Sequence, residues 1–138
     1  MNVIEINGLS KEYRSGLLGT TRFSAVNNLN LSVGPGGEVV VVGDRGGLVV
    51  GRPGQWTAID ARTDFNLQGV AHFAGETFVC TDFEIFRLIG GKLLRETRFV
   101  DDKRPATCMN LMAGGNCLYA QGERDLYRFQ DGSWASVL

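Results

Sequence analysis

From residue 29 onward the chain alternates short apolar runs with glycine-bearing breaks. In residues 29–60 the runs fall at 29–33, 39–43, 48–52 and 56–60, and the breaks between them read GPGG, RGG and PG. Runs this short, rich in Val, Ile, Leu and Trp, predict β-strands, and the glycine breaks predict tight antiparallel hairpins. The pattern then recurs in residues 67–99 and 107–138. Leu48, Ile85 and Leu126 coincide; eight residues later so do Trp56, Leu93 and Trp134, and two before these stand Gly54, Gly91 and Gly132. Each copy therefore predicts four strands, A to D. A repeated four-stranded antiparallel unit of about 40 residues predicts an all-β fold of the β-propeller type, with each unit a blade. A sandwich of hairpins spaces its strands similarly but does not require self-similar units.

The opening residues fit the same scheme. VIEINGLSKEYRSGLLGTTRF, residues 3–23, aligns without a gap on VCTDFEIFRLIGGKLLRETRF, residues 79–99. It reads as runs B, C and D of a degenerate unit lacking A. The expected organisation is one domain of about four blades per chain, the first incomplete: a partial blade at 1–28, then blades at 29–66, 67–106 and 107–138.

Composition changes this picture little. A chain of 138 residues buries roughly 65–70% of its unfolded surface without needing a disulfide. Its 19 glycines are about twice the usual share, and the hairpin turns account for them. A net charge of −1 weighs against non-specific nucleic-acid binding, which needs a surplus of Lys and Arg. No apolar run approaches a membrane span, and MNVIEINGLS does not resemble a secretory leader, so the expected location is cytoplasmic. Cys80, Cys108 and Cys117 are odd in number, lack metal-ligand spacing and lie in apolar runs, so they are expected to be buried small hydrophobes. No metal or cofactor is expected.

The runs VVVVGDRGGLVV followed by GQW, FNLQGVAHFAGETFVCTDFEIFRL, and PATCMNLMAGGNCLYAQGERDLYRFQDGSW resemble bacterial propellers of the tryptophan-aspartate-repeat (WD-repeat) and BNR-repeat-like kind. The resemblance implies a scaffold that binds proteins or ligands, and some members are similar to proteins encoded beside bacterial toxins. This chain is shorter than such propellers usually are. A second resemblance fails on its chemistry. VIEINGLSKEYRSG and FSAVNNLNLSVGPGGEVVVVGDRGG are similar to the opening of a transporter ATPase, whose phosphate loop needs G-x-x-x-x-G-K-[ST]. Counted from Gly43, Leu48 stands at the second Gly position, followed by Val49 and Val50, with no Lys.

In a propeller the B-to-C and D-to-A connections share one end of the blades. That end collects nine acids against five bases, while the whole chain is nearly neutral. It is expected to be an acidic recognition surface for a basic protein partner, an immunity or antitoxin-like protein facing a basic toxin being the specific form. The candidate partner-binding residues are Asp44 and Arg45; Asp82, Phe83 and Glu84; Asp101, Asp102 and Arg104; and Glu123, Arg124 and Asp125. Phe83 and Arg104 belong to the residue types enriched among interface anchors.

Catalysis is not expected. Asp101 and Asp102 are adjacent in sequence, whereas a glycosidase pair flanks its substrate. His72 is the only histidine, and it fits a strand; Trp56 and Trp134 fit blade packing. Two alternatives stay open: a structural or self-assembling propeller fragment or engineered repeat without a ligand, and a carbohydrate-binding or glycan-hydrolysing propeller. An incomplete arc of blades leaves unsatisfied sides, so a homo-oligomer is expected, most simply a C2 dimer closing an eight-bladed ring.

Overall fold

Thirteen strands and two 3-10 turns make up the described part of the molecule. The computed structural model describes the backbone of residues 5–15 and 21–138 and the side chains from residue 28 onward. Sheet one runs β1 (Glu5–Ser15), β2 (Thr21–Val33), β3 (Val39–Val42), β4 (Leu48–Arg52) and β5 (Gln55–Ala58). Sheet two runs β6 (Gly69–Phe73), β7 (Glu76–Cys80), β8 (Ile85–Ile89) and β9 (Lys92–Arg95). Sheet three runs β10 (Asn110–Gly114), β11 (Cys117–Gln121), β12 (Leu126–Gln130) and β13 (Ser133–Ser136). Within each sheet the strands pair antiparallel in chain order. The protein is all-β, and its repeats form one sheet each.

The strands end where the sequence breaks the ladder. Gly54, Gly91 and Gly132, equivalent in the three copies, take φ of 84°, 76° and 83°. Only glycine adopts that region readily, so the repeated residue is the one the C-to-D hairpin requires.

The opening segment differs from its expected form. Residues 3–23 read as three short runs, yet Glu5–Ser15 is a single strand paired along Thr21–Val33. The pairing shifts register between Ile6 and Leu9, between Leu9 and Lys11, and between Lys11 and Glu12. Gly8 and Ser10 thus fall at irregularities within a strand. The shared TRF phrase takes two structures: Thr21 to Phe23 begin β2, whereas Thr97 to Phe99 follow β9 outside any strand.

The sheets stack in chain order. Val40, Val42 and Leu48 of sheet one pack with Leu67, Val70 and Val79, which precede or belong to sheet two. The opposite face of sheet two places Ala71, Phe78, Cys80 and Ile85 against Leu111, Leu118, Ala120, Tyr127, Phe129 and Trp134 of sheet three. Strand alternation makes this possible, since neighbouring residues such as Phe78 and Val79 face opposite ways. The first strands of the three repeats, β2, β6 and β10, lie side by side. Asn30 Nδ2 donates to the Gln68 carbonyl at 2.8 Å, and Ser32 Oγ lies 2.9 Å from His72 Nδ1. Burial lowers the His72 pKa. Cys80, Cys108 and Cys117 are free and buried.

Between sheets two and three lies a charged cluster that the sequence reading did not single out. Glu96 is fully buried. Its carboxylate accepts from Arg98 Nε at 3.0 Å, Arg98 Nη2 at 2.9 Å and Trp134 Nε1 at 3.1 Å. Arg98 also donates to Glu76 and lies 4.7 Å from the Phe129 ring centre. Arg87 approaches both acids, at 3.4 Å from Glu76 and 3.7 Å from Glu96. Two acids and two guanidinium groups thus balance within one contact. Burial alone would raise the Glu96 pKa, but the hydrogen bonds from Arg98, Trp134 and the Thr97 amide hold it at about 2.

Candidate functional site

The B-to-C turns and D-to-A connections are tied to one another by hydrogen bonds. In the first turn Asp44 Oδ2 accepts from Asn28 Nδ2 at 2.7 Å. The Arg45 amide donates to Asn66 Oδ1 at 3.0 Å, and the Gly46 amide to the Phe65 carbonyl at 2.8 Å. The turn of sheet two is held likewise: Asp82 Oδ1 accepts from Gln68 Nε2 at 2.8 Å, and the Asp82 carbonyl from the Cys108 amide at 2.8 Å. In sheet three, Asp125 Oδ2 accepts from the Ala106 and Thr107 amides, while the Glu123 amide donates to Thr107 Oγ1 at 2.8 Å. Asp44, Asp82 and Asp125 therefore hold loops in place. A carboxylate accepting amide protons makes a charge-assisted bond, which stiffens the turn.

Gly46 tests this bracing. Its φ is 69°, and an added Cβ would collide with the Thr63 carbonyl. Gly46→Ala is expected to cost about 1–3 kcal/mol, from left-handed strain and the displaced connection together. Urea denaturation measures it, and a cost below about 0.5 kcal/mol would mean that the turn and the 61–67 connection do not brace each other.

The candidate residues divide into those the structure gathers around these braced turns and those it places elsewhere. Asp44 and Arg45, Asp82 to Glu84, and Glu123 to Asp125 occupy the three equivalent turns. Phe83 meets Phe65 of the preceding connection edge to face, with ring centres 5.9 Å apart. Both rings are more than half exposed, at 56% and 60%. Glu84 pairs with Arg95 of β9. Arg124 lines a hollow of about 410 Å³ with Glu123, Asp125, Met112, Leu126 and Leu138.

Asp101, Asp102 and Arg104 sit in a different setting, in and after a 3-10 turn beside β13. Asp101 and Asp102 adopt φ of 54° and 55°. Arg104 lies 5.1 Å from the Phe99 ring centre and donates to the Glu96 carbonyl at 3.2 Å, with Asp102 3.7 Å away. Its guanidinium is thus engaged within the chain.

Phe65 is the exposed aromatic that sequence reasoning missed. It stands in the ARTDFN connection, outside the repeat pattern, and an aromatic in a polar loop was the available signal. No protein-family profile matches the chain, and no curated protein matches it.

Proposed function

We propose that the three stacked sheets are blades of a β-propeller-type scaffold, and that the end carrying the braced turns binds a protein. The side-by-side first strands and the face-to-face order of the sheets support the propeller arrangement. The observation that carries the binding reading is the Phe65–Phe83 pair, two rings more than half exposed on loops held by backbone hydrogen bonds. A rigid exposed aromatic loses little entropy on docking, which suits it to anchor an interface. Acids outnumber bases around it, so the fitting partner is basic, such as a toxin with a cationic cleft facing an immunity or antitoxin-like protein. The scaffold acts without catalysis or a cofactor, in the cytoplasm.

Affinity capture from the source cells, comparing the wild-type chain with a Phe65→Ala/Phe83→Ala double variant, tests the anchor. A basic protein should be retained by the wild type, released by added salt, and weakened in the double variant by about 30-fold or more, as loss of a hot spot implies. Retention of the same protein at the same affinity by both chains would refute the anchor. Charge supplies an independent check. With the retained protein purified, Asp82→Lys with Glu123→Lys should slow association by about tenfold or more at low salt, whereas Glu38→Lys with Asp131→Lys, in turns of the other kind, should leave it nearly unchanged. Equal slowing by both pairs would remove the acidic surface from the explanation.

A further inference from the structure

Each sheet has two faces, one turned to the repeat before it and one to the repeat after, and the strand registers give equivalent positions on each. On the face turned to the following repeat, Val42 opposite Leu48, Cys80 opposite Ile85 and Gln121 opposite Leu126 occupy the same places. One step along, Val40, Phe78 and Tyr119 correspond. In sheets one and two these residues are at most 2% exposed, because the next sheet covers them. In sheet three Gln121 is exposed and Tyr119 and Leu126 are partly so. Met112, paired with Tyr119, is 42% exposed.

The other face tells the complementary story. Gly51 opposite Trp56, Leu88 opposite Leu93 and Phe129 opposite Trp134 are equivalent. Trp134 is fully buried against sheet two, while Trp56, in the same repeat position, is 49% exposed. Val41 and Val49 of that face are also partly exposed. Among the described residues the stack therefore ends in two faces that no further sheet covers, and they are the two halves of a contact that the chain already makes twice within itself.

We propose that a second copy of this chain covers both. The Val41, Val49 and Trp56 face of each copy seats on the Met112, Tyr119 and Leu126 face of the other, and two copies close a ring of six sheets. The ring expected from sequence alone had eight blades; the three sheets of the described residues make it six. The inference rests on continuity. The sheet-one-to-two and sheet-two-to-three interfaces define which surface fits which, and only a face of the sheet-one kind matches the one that sheet three presents. Arg128 stands at the position of Arg87, which lies beside Glu76 and Glu96 in the sheet-two-to-three contact. The hollow at Met112, Leu126 and Leu138 gives room for incoming side chains. A head-to-tail contact of this kind closes into a ring when its rotation allows.

The experiment uses the asymmetry of the contact. Trp56→Asp disables one face and Met112→Asp/Leu126→Asp the other. By light scattering at micromolar concentration the wild type should have twice the chain mass of 15.0 kDa, and each variant alone should be a monomer. An equimolar mixture of the two variants should regain a dimer, because each supplies the face that the other lacks. Circular dichroism establishes that the variants are folded. A variant-free measurement accompanies them: Trp56 fluorescence in the wild type should shift to the blue between nanomolar and micromolar protein as its indole leaves water. A wild-type monomer without that shift, a dimer indifferent to Trp56→Asp, or a mixture of folded variants that stays monomeric would overturn the proposal.

Discussion

Trp134→Ala is expected to lower the unfolding free energy by about 3–5 kcal/mol, the usual cost of truncating a buried Trp or Phe to Ala. Three effects combine at this side chain. The indole is fully buried and meets Phe78, Phe129 and Phe99 at ring-centre distances of 5.9, 5.3 and 6.3 Å. Removing it leaves a void between sheets two and three. It also removes a donor from Glu96, whose buried carboxylate then relies on Arg98 and backbone amides. Trp134→Phe separates these effects: most apolar contact is retained and the hydrogen bond is lost, so a cost of about 1–3 kcal/mol is expected. Urea titration of all three chains decides between the terms. If the Phe variant were as unstable as the Ala variant, the hydrogen bond rather than the packing would dominate.

Glu96 should make the protein acid-sensitive in a defined window. Its carboxyl is held at about 2 against an ordinary 4.5. The folded-state value is the depressed one, so the stabilisation is complete above about pH 5 and is lost as pH falls through 4.5 toward 2. Linkage makes the contribution roughly 3 kcal/mol at neutral pH. Glu96→Gln should forfeit most of it at pH 7, because Arg87 and Arg98 keep only Glu76 as a charged partner. Near pH 2 the gap between wild type and variant should shrink to within about 1 kcal/mol. Unfolding midpoints at pH 7, 4 and 2 measure this. A gap that stays constant across the series would show that the Glu96 carboxylate does not carry the acid response.

Local pattern was legible in the sequence to within a residue or two. The runs at 39–43 and 48–52 became β3 and β4, and the coincidence of Leu48, Ile85 and Leu126 marked equivalent buried or half-buried positions, because strand alternation and turn glycines act over a few residues. What surrounds a strand is not local. Trp56 and Trp134 carry the same repeat signal, and only the stacking order decides that one is buried and the other is not. Glu96 was illegible for the same reason. Within KLLRETRF it reads as one more solvated charge, and its partners Arg87 and Trp134 come from elsewhere in the chain. Among the candidate site residues, topology alone placed the three B-to-C turns correctly with respect to the repeat. The engagement of Arg104 with Phe99 depended on how residues 97–104 fold back, which no periodicity encodes.

That fold-back has a consequence for how the molecule comes apart. β13 is the outer strand of sheet three and would ordinarily be free to fray or to template pairing with another chain. Instead the Trp134 amide donates to the Arg98 carbonyl at 2.7 Å, and Phe99 bridges to Trp134 in parallel. Residues that leave sheet two thus latch the last strand of the next sheet before the chain has even entered it. Sheets two and three cannot peel away one at a time without breaking this latch, so they form one cooperative unit. In hydrogen exchange the Trp134 amide should accordingly be among the slowest, opening together with the amides of β7 rather than with the chain end only four residues beyond it.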